Sequence, residues 1–143
     1  MLFFYYNSYD KVYVIEEVCM NIKEINVLVL AYLGDTIYED YIRKYLINKG
    51  IGNVNDLQKE ALNYVSAKGQ AKYINEMLDN NFFSEEELSI IKRARNNSSK
   101  SHPKNCDVVT YRYATALEAL IGYLELSQNK ERIDEIMNYI LGE

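Results

Sequence analysis

Residues 22–49 read IKEINVLVLAYLGDTIYEDYIRKYLINK. Ile25, Val27, Leu28, Leu30, Ala31, Leu33, Ile37, Tyr38, Tyr41, Ile42, Tyr45 and Leu46 recur at the 3.6-residue period of a helix, and Gly50 and Gly52 close the run. Nearly every face of its first half is apolar, which predicts a central, largely buried helix. Directly after the run INVLVLAYLG comes a carboxylate, Asp35, and Glu39 follows one turn later on the same face.

The same period continues outward. A helix is expected near 56–65, capped by Asn53 or Asn55, and another from Ser66 to the Asn80–Asn81 break. Ser84-Glu85-Glu86-Glu87 is a capping box opening a helix over 85–95, whose end carries Lys92, Arg93 and Arg95, the sign the helix dipole favours there. NNSSKSHPKNC at 96–106 reads as a loop, Asp107 caps a long helix to about 127, and an amphipathic helix starts near Lys130. The fold class is all-α, one compact helical bundle over 22–143. Residues 1–21 form an aromatic-rich extension in which VYVIEEV at 12–18 alternates weakly; a short strand, an extension packing on a neighbour and a segment upstream of a working start near Met20 are the readings open to it.

Composition agrees. The chain has 143 residues, 48% of them hydrophobic, with one proline and six glycines. It is long enough for a self-sufficient core and too poor in chain breakers for an all-β sandwich. Cys19 and Cys106 stand alone, so neither a disulfide framework nor a zinc site is expected. No apolar run approaches the ~20 residues of a membrane span, and the start lacks the basic region and cleavage site of a signal peptide. A cytoplasmic protein is expected.

The chemistry-bearing residues are carboxylates inside apolar helices, because a buried charge must be paired, protonated or bound to metal. Glu118 sits in ATALEALIGYL with Thr115 one turn before it. Packing the helix of Asp35 and Glu39 against that of Thr115 and Glu118 would create an oxygen-rich site of the kind Mg²⁺ prefers. The alternative is that Asp35 and Glu118 are salt-bridged to Arg43, Lys44 or Arg112. His102 is the only histidine, which excludes a two-histidine acid–base mechanism.

AYLGDTIYE at 31–39 resembles the first signature helix of the ribonuclease III family, and LEALIGYL at 117–124 resembles its second. VSAKGQA at 65–71, FFSEEE at 82–87, KRARN at 92–96, PKN at 103–105 and TYRYATALEALIGYL at 110–124 are closer still to the Mini-ribonuclease III branch, which lacks a double-stranded-RNA-binding domain. The resemblance covers about 22–143. It implies a dimeric, Mg²⁺-dependent endonuclease domain cutting double-stranded RNA, with trimming of the large-subunit (23S) ribosomal RNA precursor as its task. A ribosomal protein or an assembled precursor is then a further partner. It also implies that Asp35 and Glu118 are the catalytic, metal-binding carboxylates. From the shared helix faces, Glu39 is expected to face the metal or support a ligand to it, and Thr115 to support Glu118. The wider family carries two more carboxylates, where this chain has Ala31 and Thr115; the Mini branch shares both departures. A non-catalytic RNA-binding or ribosome-assembly module on the same scaffold is the alternative, and a degenerate member of that kind would be expected to have lost Asp35 or Glu118.

The net charge of −5 hides a reversal. Between Lys92 and Arg112 six bases stand against Asp107 alone, a local +5 that leaves −10 elsewhere. Beside the two signatures, this stretch is expected to meet the phosphates and 2′-hydroxyls of an A-form duplex through Arg93, Arg95, Lys100, Lys104 and Arg112, extended by Lys68 and Lys72. Val27, Leu28, Leu30, Ala31 and Tyr32 give the central helix more apolar perimeter than one small bundle covers. A two-fold partner would bury the excess; the N-terminal aromatic segment is the alternative cover.

Overall fold

The structure, a computed structural model, describes residues 2–6, 12–16, 21–97 and 102–142. Two strands, β1 (Leu2–Tyr6) and β2 (Val12–Glu16), pair antiparallel with Phe4 opposite Val14. Six helices follow: α1 (Val27–Asn48), α2 (Val54–Val65), α3 (Ala67–Asp79), α4 (Glu85–Arg95), α5 (Val108–Leu126) and α6 (Lys130–Leu141). The described residues from 21 onward are all-helical. Residues 22–24 form a single 3-10 turn ahead of α1. The helix begins five residues later than the apolar pattern does, because the Asn26 side chain accepts from Leu28 N and sets the first turn there.

Each helix starts on the cap its local sequence supplies. Asn53 caps α2, Ser66 caps α3 by accepting from Gly69 N, Asp107 caps α5 and Asn129 caps α6. The capping box of α4 is complete: Ser84 accepts from Glu87 N, and Glu87 accepts from Ser84 N. Glu87 is buried, and Arg132 of α6 donates to both of its carboxylate oxygens and to Phe82 O. Burial pushes the Glu87 carboxyl up, but the Arg132 and Ser84 hydrogen bonds outweigh it and hold the group below its ordinary value.

α5 is the axis of the molecule: α1, α3, α4 and α6 all pack on it. Its side chains from Ala114 to Leu124 are buried except for Glu118, which is half-buried. Leu30, Tyr38 and Ile42 of α1, Ile74 and Met77 of α3 and Ile133, Ile136 and Met137 of α6 complete a core sealed from solvent. Burying each such aliphatic side chain contributes roughly 1.5–3 kcal/mol. The Tyr38 hydroxyl, deep in this core, donates to Tyr64 O at 2.8 Å, so its one polar atom is satisfied and α2 is tied to α1.

α1 and α5 approach more closely than side chains would allow. A Cβ on Gly34 would lie 1.7 Å from Glu118 O, and one on Gly122 would lie 1.9 Å from Leu30 O. Glycine is required at both positions because the two backbones are themselves in contact. That crossing sets the separation of Asp35, next to Gly34, from Glu118, one turn before Gly122.

Candidate active site

Asp35 and Glu118 meet at the crossing of α1 and α5, near enough for Asp35 to raise the Glu118 carboxyl. Asp35 is exposed rather than buried and forms the mouth of the site; Glu118 lies deeper. Burial pushes the Glu118 carboxyl up most, the Gln70 amide opposes this, and the charge and hydrogen bond of Asp35 and the charge of Glu39 push it further, to about 7. Among the described residues no cation pairs with either acid: Arg43 is held by Glu39 at 2.8 Å and Lys44 by Asp40 at 2.8 Å. Arg43 and Lys44 are thus engaged elsewhere, Arg112 makes no ion pair with either acid, and two like charges confront each other without compensation.

Such a pair can be relieved by a shared proton or by a cation. Carboxylate oxygens open to water on one side are the hard donors that Mg²⁺ takes, with water filling its remaining positions. The donor set fits the metal. Among the described residues no cluster of three or more His, Cys, Asp or Glu side chains gathers as a metal cage, because Glu39 turns to Arg43. Thr115 is buried and its hydroxyl donates to Tyr111 O at 3.0 Å, so its proton stays within its own helix.

One polar residue here escaped the sequence reading. Gln70 of α3 is 2% exposed, and its Nε2 donates to Glu118 Oε1 at 3.0 Å. It lies inside the quoted VSAKGQA, but polarity alone does not single it out, since every turn of that helix carries polar residues.

The basic residues divide. Lys68 and Lys72 are exposed on the outer side of α3, Lys72 with its ammonium over the Tyr73 ring at 5.4 Å, and Lys104 is exposed in the loop before α5. Arg95 reaches Asn96 and the Tyr113 hydroxyl. Arg93 donates to the backbone carbonyls of Lys23 at 3.0 Å and Ile25 at 2.9 Å, fastening the segment before α1 onto α4. Arg112 is half-buried beside Leu28 and Thr115, with its Nε lacking an acceptor. Lys100 and Cys19 lie outside the described residues. Cys106 is a half-buried free thiol.

Two surfaces flank the site. On α1, Leu28 is 40%, Val29 57% and Tyr32 83% exposed, an apolar patch on the turns leading to Asp35. Between α1 and α2 an apolar groove of about 370 Å³ runs from Glu39 and Arg43 past Leu46, Val54 and Leu62. Beyond Glu39 its walls hold no acid or nucleophile, so the chemistry belongs to the crossing. Among the described residues no helix is long and apolar enough to cross a membrane.

Comparison with known proteins matches residues 28–129 to the family described as Ribonuclease III domain. The chain is 49% identical over 119 residues to a Mini-ribonuclease 3 of Enterococcus faecalis, covering 83% of this chain and 90% of the relative. It is 43% identical to that of Streptococcus pneumoniae, covering 85% and 95%. The crystal structure of a Fusobacterium nucleatum protein superposes with a TM-score of 0.76 at 38% identity, covering 85% of this chain and 96% of that one.

Proposed function

From a chain that belongs to the ribonuclease III family, in its Mini-ribonuclease 3 branch, and is a double-strand-specific endoribonuclease, we propose a Mg²⁺-dependent homodimer that processes the large-subunit (23S) ribosomal RNA precursor in the cytoplasm. Residues 22–143 form the catalytic unit and residues 1–21 an extension to it. The observation that carries the metal reading is the uncompensated pair of Asp35 and Glu118. When bound, Mg²⁺ supplies Lewis acidity to the scissile phosphate and a nucleophilic water at neutral pH.

The chain's own residues do the rest. Glu118, held from below by Gln70, presents one oxygen from a fixed rotamer, and Asp35 presents its carboxylate at the open mouth where a phosphate arrives. Glu39, on the same face of α1 by its spacing and ion-paired with Arg43, adds negative potential one turn away. Lys68, Lys72, Arg95 and Lys104 offer charge to the duplex backbone; Arg93 and Arg112 join them through whatever donors their protein contacts leave free. A dimer is supported by the exposed apolar turns of α1, which would meet their equivalents across a two-fold axis and set two sites on one duplex, one per strand. A ribosomal protein or partly assembled precursor completes the set of proposed partners.

The test compares the wild type with Asp35→Asn on a duplex RNA, with Mg²⁺ and with EDTA. Wild type with Mg²⁺ should cut both strands. EDTA and the variant should each lower the rate by about 10³-fold or more, while duplex binding persists. Wild-type cleavage unaffected by EDTA would remove the metal from the mechanism.

A further inference from the structure

Among the described residues three polar or charged side chains are buried: Glu87, Thr115 and, most deeply, Gln70. The first two have local explanations, a capping box joined to Arg132 and a hydrogen bond within one helix. Gln70 has none. Its amide spans 48 residues of sequence to reach Glu118. An apolar side chain beside Ala71 and Ile74 would fill the same space without the cost of desolvating an amide.

We infer that Gln70 is the positioning residue of this active site, holding the Glu118 carboxylate in the rotamer that receives the metal; the inference rests on the metal reading of Asp35 and Glu118. The amide occupies Glu118 Oε1, which leaves Oε2 as the oxygen free to share a cation with Asp35. It stabilises the anion with a dipole rather than a charge. A lysine or arginine in its place would neutralise Glu118 and repel a divalent ion, whereas a neutral donor keeps the negative charge available. Its own placement is rigid. Ser66 caps α3 at Gly69 N, and Gly69 lets the helix start against α2, since a Cβ there would lie 2.4 Å from Asn63 O. The amide thus rides on a helix fixed at both its cap and its buried face. Partners of metal ligands that fix orientation in this way change metal affinity or activity by roughly 10–100-fold when removed.

The experiment uses the full chain with Gln70→Met, which keeps length and removes the donor, and Gln70→Asn, which keeps the donor but withdraws it by one methylene. Mg²⁺ and Mn²⁺ affinities are measured by calorimetry, and kcat and KM on duplex RNA are measured across a Mg²⁺ series. Thermal unfolding in EDTA serves as the folding control. The expected result is at least about tenfold weaker metal binding in Gln70→Met, a kcat loss that rising Mg²⁺ partly restores, and an unchanged KM for RNA, because Gln70 is sealed from the substrate. Gln70→Asn should fall between it and the wild type, and carries the test alone should the methionine variant not fold. Metal affinity and kcat equal to wild type in the folded variant would overturn the positioning role. So would a kcat loss that no Mg²⁺ concentration relieves. A wild type that binds no divalent ion would instead strike at the underlying metal reading, and calorimetry separates the two.

Discussion

Glu118 carries its charge against its surroundings, and that has a sign. Its carboxyl is pushed from an ordinary 4.5 to about 7, by burial first and by Asp35 and Glu39 after the opposing Gln70 amide. A folded-state value above the unfolded one means that its contribution to stability is fully present below about pH 4.5 and lost as pH rises through about 7. In EDTA, Glu118→Gln, which mimics the protonated acid, should therefore gain melting temperature relative to wild type on going from pH 5 to pH 8. Equal slopes for the two proteins would rule this out. Divalent-ion affinity runs the opposite way and should increase across the same window, since the ligand must lose its proton. At this scale the sequence was legible where chemistry is carried by type and spacing. Asp35 and Glu118 stand out as acids in apolar runs, and Tyr32 as excess apolar perimeter. Gln70 lies inside the quoted VSAKGQA, but its role was hidden, because a polar residue on a polar-rich helix shows no physical reason until the fold turns it inward. The pairing of Arg43 with Glu39 and Lys44 with Asp40 was an i,i+4 matter that spacing alone could have resolved in favour of local partners.

Helix boundaries followed local cap chemistry, which is why Ser66, Ser84 and Asp107 could be read directly as starts. The start of α1 could not be read so directly. Apolar periodicity runs back to Ile22, yet Asn26 decides the first turn. The larger gap concerns Gly34 and Gly122. Both lie inside the quoted signatures, but the pattern gives no physical reason for them; only the contact of two backbones does. Gly34→Ala and Gly122→Ala should each push α1 from α5. The expected cost is at least about 3 kcal/mol, read as a lower denaturant midpoint, because the clash is with backbone and not with a side chain that can swing away. Folded molecules of either variant should also lose cleavage, since the same displacement parts Asp35 from Glu118. An alanine variant with native stability and rate would show that the crossing has slack. By contrast Gly50, at φ 90°, with nothing near its missing Cβ, is needed for backbone conformation alone.

For the whole molecule, the average charge was a poor guide and the patch on α1 a better one. Tyr32 at 83% exposure beside Val29 and Leu28 is costly for an isolated chain. Sedimentation should find a concentration-dependent dimer that Tyr32→Arg weakens by at least about thirtyfold, the loss expected of a central aromatic anchor. A wild-type monomer at every concentration would refute it. The N-terminal residues were the least legible part, since their aromatics have neither a helical period nor a cap. Their alternation at 12–16 does correspond to β2, paired with β1.

Arg93 has a mechanical consequence. By gripping the carbonyls of Lys23 and Ile25 it moors the last turn before α1 to α4, a tie that holds the entry to α1 from the side of the bundle. A tug on the N-terminus, whether from a fused tag or from a surface to which it is tethered, would be taken up by that guanidinium before it reached the glycine crossing. Removing residues 1–20 should then leave melting temperature within about 2 °C and the cleavage rate within about twofold, the range of a change away from core and caps. Truncation that melted the bundle would place the mooring elsewhere.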